Sequence, residues 1–319
     1  LTVCGNDAFP EFVSYIGGHV GTGWKYRPLM APTQLDCTND ASPLVVPVGT
    51  PGSRSRRASG LSITSSAYGY NRPVLEVQGG PFTLTDSQLQ AAPRHLHAVS
   101  IVQGDASVVF SRNVFVASGV FGGVQGLSCG AGGGFPCTGL MVREGASPTV
   151  VSNEFVLGTD TASDPSVGIN FLGASNAVVK ANLFRANPAL AGDPTTGQAQ
   201  GIVAGSNSSI ALAGLGGNLW AVTLPGTPWL NNVGGTSNSF AAARLALAAS
   251  APAEPPNVES STCVLALERF ESGMAGLFRP PFLEEPCRGA AGNTPSYLTN
   301  LETSTPAEYR VHHALDTTG

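Results

Sequence analysis

The chain reads as an all-β solenoid, a stack of short parallel strands, and three observations point that way. The plan of residues 99–115, VSIVQGDASVVFSRNVF, recurs at 139–155, at 168–184 and, with three extra residues, at 201–220, while its first half recurs upstream at 74–89. Each full copy closes on Asn-x-aromatic: Asn113 with Phe115, Asn153 with Phe155, Asn182 with Phe184 and Asn218 with Trp220. Forty Gly, 24 Pro and only 12% charged residues in 319 suit a chain of many short strands and tight corners, grown by repetition in one direction.

The elements follow in order. Residues 1–43 lack the repeat and place Phe9, Phe12, Tyr15, Trp24 and Tyr26 around the pair Cys4 and Cys37, as a cap covering the first coil would. A first, irregular coil is expected from Pro43 to Asn71, with strands at LVVPV and LSIT. Between them PGSRSRRASG reads as a polar loop, and Arg54, Arg56 and Arg57 as its solvated tip.

Regular coils start near residues 73, 98, 138, 167 and 200, each read as two short apolar strands joined at a small-residue corner. Strand alternation sends one set of side chains inward and the other outward. The inward set is Leu75 and Val77, Ser100 and Val102, Leu140 and Val142, Ile169 and Phe171, Ile202 and Ala204; the aromatics of Asn-x-aromatic add a further inward column. Asn113, Asn153, Asn182 and Asn218, with Gln88 at the matching place upstream, form a structural ladder. Asn tolerates left-handed backbone angles, and its amide both donates and accepts from coil to coil.

After Trp220 the pattern decays, with a last corner expected at Asn238 and Phe240 and a short helix at 241–249. Residues 250–257 are a Pro-rich linker. The remainder, to residue 319, reads as a C-terminal cap holding Cys263 and Cys287 with short helices. One has helical apolar spacing in LALERFESGMAGLF, and the other opens on the capping box Thr305-Pro306-Ala307-Glu308 and runs to about Ala314. The three parts are thus 1–43, 44–249 and 250–319.

With these residues in view, the chain resembles the right-handed parallel β-helix repeat family, the pectin-lyase-like fold, over roughly residues 44–245, where internal Asn ladders and aliphatic stacks recur. The expected architecture is a right-handed parallel β-helix solenoid of about six or seven coils with disulfide-bearing caps at both ends. That fold carries lyases, hydrolases, adhesins and structural proteins alike, so function has to be argued from the site.

Several classes are disfavoured by composition. A net charge of -5 is no footprint of a nucleic-acid binder, and no apolar run is long enough for a membrane helix. The start at Leu1, without a charged leader, is what a processed chain looks like. Six cysteines (Cys4, Cys37, Cys129, Cys137, Cys263 and Cys287) show no C-x2-C spacing of a zinc or redox site. Three local brackets suggest disulfides and an extracellular or cell-surface location, although spacing does not choose the pairing. A single sequon stands at Asn207-Ser208-Ser209.

In the resembling enzymes that cleave acidic polysaccharides, the work is done on the outer face of the first strand by clustered carboxylates, usually with calcium, or by an Arg or Lys base. Here that outward column is Glu76, Ile101, Met141, Asn170 and Val203, and beside it stand Gln78, Gln103, Arg143 and Leu172. Hydrolysis requires two carboxylates about 5 to 9.5 Å apart, and calcium requires several converging oxygens; the column offers one Glu. The Asn-Thr-Asp, Asp-Asp, Gly-His-Gly and Arg-Ile-Lys signatures of polygalacturonase-like members do not occur.

The expectation is therefore a non-catalytic surface protein that binds a glycan or protein partner or builds a surface assembly, without a cofactor. Its binding face comprises Glu76, Gln78, Gln103, Arg143 and Asn170, with Asp160 and Asp164 in a neighbouring loop and Asp193 in the next. The alternative is a secreted polysaccharide lyase or hydrolase using Arg143, Glu144 and Lys180, with calcium on loop carboxylates. Clustering of Asp105, Glu144, Glu154, Asp160, Asp164 and Asp193 would favour it. His95 and His97 share a strand face but lack a third ligand nearby, and read as structural.

Overall fold

The computed structural model describes residues 14–17, 19–20, 25–26, 33–36, 44–49, 55–65, 73–91, 98–105, 107–117, 138–143, 145–158, 166–187, 199–204, 214–216, 218–221, 230–231, 258–260, 267–269 and 309–311. At the N-terminal end lie β1 (Ser14–Ile16), β2 (His19–Val20), β3 (Lys25–Tyr26) and β4 (Thr33–Asp36). Three strands per coil then follow: β5 (Leu44–Val46), β6 (Arg56–Ser59) and β7 (Leu61–Ser65); β8 (Leu75–Val77), β9 (Phe82–Thr85) and β10 (Gln88–Ala91); β11 (Ala98–Val102), β12 (Val108–Ser111) and β13 (Val114–Ala117). The next coils hold β14 (Thr138–Arg143), β15 (Thr149–Val151) and β16 (Glu154–Gly158), then β17 (Ser166–Leu172), β18 (Val178–Lys180) and β19 (Leu183–Asn187). Beyond them are β20 (Ala199–Ala204), β21 (Leu219–Ala221), β22 (Leu230–Asn231), β23 (Val258–Ser260), β24 (Leu267–Arg269) and β25 (Tyr309–Val311).

These strands form an all-β parallel solenoid with three faces. Sheet I runs β5-β8-β11-β14-β17-β20-β22, sheet II runs β1-β6-β9-β12-β15-β18, and sheet III runs β4-β7-β10-β13-β16-β19-β21-β23. Every pairing within them is parallel; among the described residues only β2 with β3 and β24 with β25 pair antiparallel. The coil thus has three strands rather than two, and Asn-x-aromatic is the corner that opens the third strand instead of closing the second. Both β1 and β4, from the segment expected as a cap, join the same sheets.

The inward columns of sheet I have the expected register. Leu44, Leu75, Ser100, Leu140, Ile169 and Ile202 align, as do Val46, Val77, Val102, Val142, Phe171 and Ala204. The described side chains of both columns are buried. At roughly 1.5 to 3 kcal/mol for each fully buried aliphatic side chain, this repetition is the main source of stability. Sheet III supplies Ile63, Leu89, Phe115, Phe155 and Phe184 as one further column, all fully buried. The Phe115 and Phe155 rings stack with centroids 4.9 Å apart and 9° between planes, and Phe155 repeats this geometry on Phe184. Trp220 continues the register on Phe184.

Glycine stands near the start of β14 and β17, at Gly139 and Gly168, for a steric reason. A Cβ built on Gly168 would lie 2.6 Å from Phe184 Cδ1 and 2.6 Å from the Gly201 carbonyl oxygen, and one on Gly139 2.9 Å from Phe155 Cδ1. The stacked rings therefore require a bare backbone in the neighbouring sheet.

The Asn ladder is present through Asn113, Asn153, Asn182 and Asn218, all buried. The backbone N–H of Asn113 donates to Asn153 Oδ1 at 2.9 Å, that of Asn153 to Asn182 Oδ1 at 2.9 Å, and that of Asn182 to Asn218 Oδ1 at 3.0 Å. Each Nδ2 donates inward to a carbonyl of the preceding coil: Leu84 at 2.8 Å, Phe110 at 3.0 Å, Val150 at 2.9 Å and Val179 at 2.8 Å. Every rung thereby satisfies donors that a buried corner would otherwise strand.

Two details of the ladder differ from the sequence expectation. Gln88 aligns with Val114, so the upstream rung is Ser87, whose N–H donates to Asn113 Oδ1 at 3.1 Å and whose Oγ accepts the Leu61 N–H at 3.2 Å. Nor is Asn the left-handed residue. Positive φ falls one position earlier, at Asp86 (51°), Arg112 (57°), Ser152 (58°) and Ala181 (56°), and at Gly60 (68°). The reversal is made by the preceding residue, leaving Asn free to aim its amide along the stack. Two of these reversal residues bridge coils, Arg112 Nε and Nη2 donating to Asp86 Oδ1 and Oδ2 at 2.8 and 2.9 Å.

Two local readings are corrected. The segment expected as a polar loop contains β6, with Arg56 and Ala58 buried and Arg57 exposed. Arg56 donates from Nη1 to the Pro47 carbonyl oxygen at 2.7 Å, so its aliphatic stem is buried while its charge finds an acceptor. Where short C-terminal helices were expected, the described residues Leu267–Arg269 and Tyr309–Val311 pair as antiparallel strands. Helices of ten to fourteen residues are marginal on their own, whereas β-branched and aromatic residues such as Val311 and Tyr309 suit a paired strand. All six cysteines, the sequon, the helix at 241–249, the corner at Asn238 and the linker at 250–257 lie outside the described residues.

Candidate functional site

The outer face of sheet I is built from the alternation that buries its inner face. Val45, Glu76, Ile101, Met141, Asn170, Val203 and Asn231 share one register column, containing the expected outward set. Two residues further along each strand, about 6.6 Å away, runs the column of Gln78, Gln103, Arg143 and Leu172. There the Gln78 and Gln103 N–H groups donate to the carbonyls of Val46 and Val77, and Arg143 pairs in register with Leu172.

Gln78 is exposed and Gln103 and Asn170 are half-buried. Leu172 is 45% exposed, beside Arg143. Arg143 reaches across the row of Ile101 and Gln103 to Glu76, with Nη1 to Oε1 at 3.8 Å. Its side chain stays 44% exposed while that of Glu76 is 18% exposed, so the guanidinium remains the more accessible partner. A pair this long and this open contributes at most about 1 kcal/mol to folding. Its consequence is electrostatic: the one described cation of the face is already matched.

The other candidates are dispersed. Lys180 ends β18 in sheet II and does not share the face of Arg143. Asp105 sits in the turn after β11, where Ser107 donates to its Oδ1 from both N–H and hydroxyl. Those bonds, the hydroxyl's first, hold the Asp105 carboxyl below its usual range. Glu154 opens β16 in sheet III, 8% exposed. Asp105 and Glu154 thus occupy different corners of the coil. Glu144, Asp160, Asp164, Asp193, His95 and His97 lie outside the described residues.

Sheet III differs from sheet I on its outer side. Glu154 and Leu183 are outward by alternation, yet Leu183 is fully buried and Ser62 only 9% exposed. Along the same column Gln34 is exposed and Gln88 and Val114 are half-buried, so this side is closed in places, whereas sheet I presents Gln78, Arg143 and Leu172 to solvent. Among the described residues no three His, Cys, Asp or Glu side chains are grouped to hold a metal ion, and no helix is long and apolar enough to cross a membrane. Sequence reasoning missed Arg56, the Asp86 to Arg112 bridge and the Ser87 rung. Only the last had a signal, since Ser87-Gln88-Leu89 aligns with Asn113-Val114-Phe115. No protein-family model matches the chain, and no curated protein or solved structure matches it either.

Proposed function

We propose that this chain is a secreted or cell-surface protein of the right-handed parallel β-helix, pectin-lyase-like kind, which binds a glycan through the outer face of sheet I without transforming it. The observation that carries the reading is the strip of exposed Gln78 and Arg143 with half-buried Gln103, Asn170 and Glu76, on a sheet whose inner side chains are buried. Planar amide, carboxylate and guanidinium groups are what sugar hydroxyls pair with, since each hydroxyl both donates and accepts. A scaffold whose inner face is buried coil against coil holds them in place before a ligand arrives, which lowers the entropy cost of binding.

Finer features belong to the same proposal. Sheets of six, eight and seven strands support six to seven coils, and the oxidised cysteines would close the ends and the Gly-rich loop between Cys129 and Cys137. Electrophoresis of the intact chain through gels cast with soluble polysaccharides tests the function. Retardation by at least one is expected, and free migration through all of them overturns the reading. Release of unsaturated sugars, followed by ultraviolet absorbance, would establish a lyase in its place. Mass spectrometry of the unreduced protein tests the location, since six free thiols would remove the argument for an oxidising compartment.

A further inference from the structure

We infer, resting on the glycan-binding reading, that the ligand of the sheet I face is a neutral glycan rather than a polyuronate. The argument is one of charge. Among the described outward residues of sheet I only Arg143 is cationic and only Glu76 anionic, and they meet at 3.8 Å. Lys180 belongs to sheet II and Arg112 is committed to Asp86 at a corner, so neither adds positive potential to this face. A polyuronate brings a carboxylate on every sugar. Here it would find a single guanidinium already neutralised, and Glu76 beside it repelling any second carboxylate.

What the face offers instead suits an uncharged pyranose. The Arg143 N–H groups left open can donate to a ring or hydroxyl oxygen, while Glu76 accepts from a hydroxyl. Gln78, Gln103 and Asn170 do both. Leu172, beside Arg143 and 45% exposed, supplies an aliphatic patch for the C–H side of a sugar ring. With strands about 4.8 Å apart, Gln78, Gln103 and Arg143 set polar groups on three successive coils along the solenoid axis, flanked by Glu76 and Asn170 among the apolar residues of the neighbouring column. The occupant is therefore an extended neutral glycan chain lying along that axis.

Affinity electrophoresis and calorimetry on the intact chain, using soluble glucan, xylan and mannan against polygalacturonate and alginate at low and high salt, test this. Binding to at least one neutral polymer is expected, changed less than about twofold by salt because no net charge is engaged. Glu76→Gln frees the charge of Arg143. It is expected to weaken neutral binding roughly three- to tenfold, because a neutral amide oxygen replaces a charged acceptor, and to create salt-sensitive binding to polyuronates. Arg143→Gln, which leaves Glu76 unmatched, should weaken neutral binding by a similar factor without that gain. Circular dichroism checks that both variants fold. Salt-sensitive binding of the unmodified chain to polyuronates overturns the neutral assignment while the glycan-binding reading stands. Retention by no polysaccharide overturns both and leaves the face to a protein partner.

Discussion

The inward and outward columns of sheet I lie on the same strands in the same register, yet they obey different rules. Inward, one position reads Leu44, Leu75, Ser100, Leu140, Ile169, Ile202, nearly one chemistry repeated. Outward, the neighbouring position reads Val45, Glu76, Ile101, Met141, Asn170, Val203. Each coil buries its inner side chain against the coils above and below, so a change of volume there is felt by two neighbours. Apart from buried Val45, the described outward side chains of this position are half-exposed and under a weaker demand. The lesson is that the interior reports the fold, and only the departures from monotony outside carry information about a ligand.

The contrast can be broken hardest at the aromatic stack. Phe155→Ala removes a fully buried ring held between two others and is expected to cost about 3 to 5 kcal/mol, read as a shift in denaturant midpoint; a loss under 1 kcal/mol would mean the column is loosely packed. Gly168→Ala approaches the same stack from outside and should cost roughly 1 to 3 kcal/mol, since its Cβ meets a ring and a carbonyl that must move. Asn153→Ala removes one rung and strands the Asn113 N–H, with an expected cost of about 1 to 3 kcal/mol. An unchanged melting temperature would argue that water replaces the amide.

Smaller effects sharpen the comparison from the other side. Ala181→Gly, at φ 56°, should stabilise by about 0.5 to 1 kcal/mol, because the left-handed backbone cost of a Cβ outweighs the entropy that glycine loses. Arg143→Gln on the open face should change stability by less than about 1 kcal/mol, so that any effect on ligand binding is separable from folding. Last, the two bonds from Ser107 hold the Asp105 carboxyl below its ordinary value. Its folded value is lowered, so its contribution is present at neutral pH and is lost as pH falls from the usual carboxylate range through the folded value. In Ser107→Ala the Asp105 carboxyl should titrate at higher pH than in the parent, as followed by NMR.

Much of the scaffold was legible because solenoid stacking converts local pattern into register. Aligning Val74 with Val99 and matching the Asn-x-aromatic corners sufficed to name the inward and outward columns and four ladder rungs. What escaped were features without a periodic signature. Strand β6 hid because its inward positions are Arg56 and Ala58, and a buried arginine reads as solvated until the Pro47 carbonyl that receives it is known. Ser87 was overlooked because a hydroxyl can do the acceptor half of an amide's work. The left-handed residue was misplaced by one because Asn is the usual occupant of such angles, whereas here the residue before it takes them.

From its sequence alone this protein was bound to be a parallel stack, since Leu, Val, Ile, Phe and Asn recurring at matched positions cannot bury themselves except against their own copies. The three-strand coil, the burial of Glu154 and Leu183 on the outer side of sheet III and the meeting of Glu76 with Arg143 were decided only by tertiary structure. Those two charges stand 67 residues apart in the chain and come together because coils of unequal length still stack at one fixed spacing. No local pattern encodes which outward side chains that spacing will bring within reach of each other.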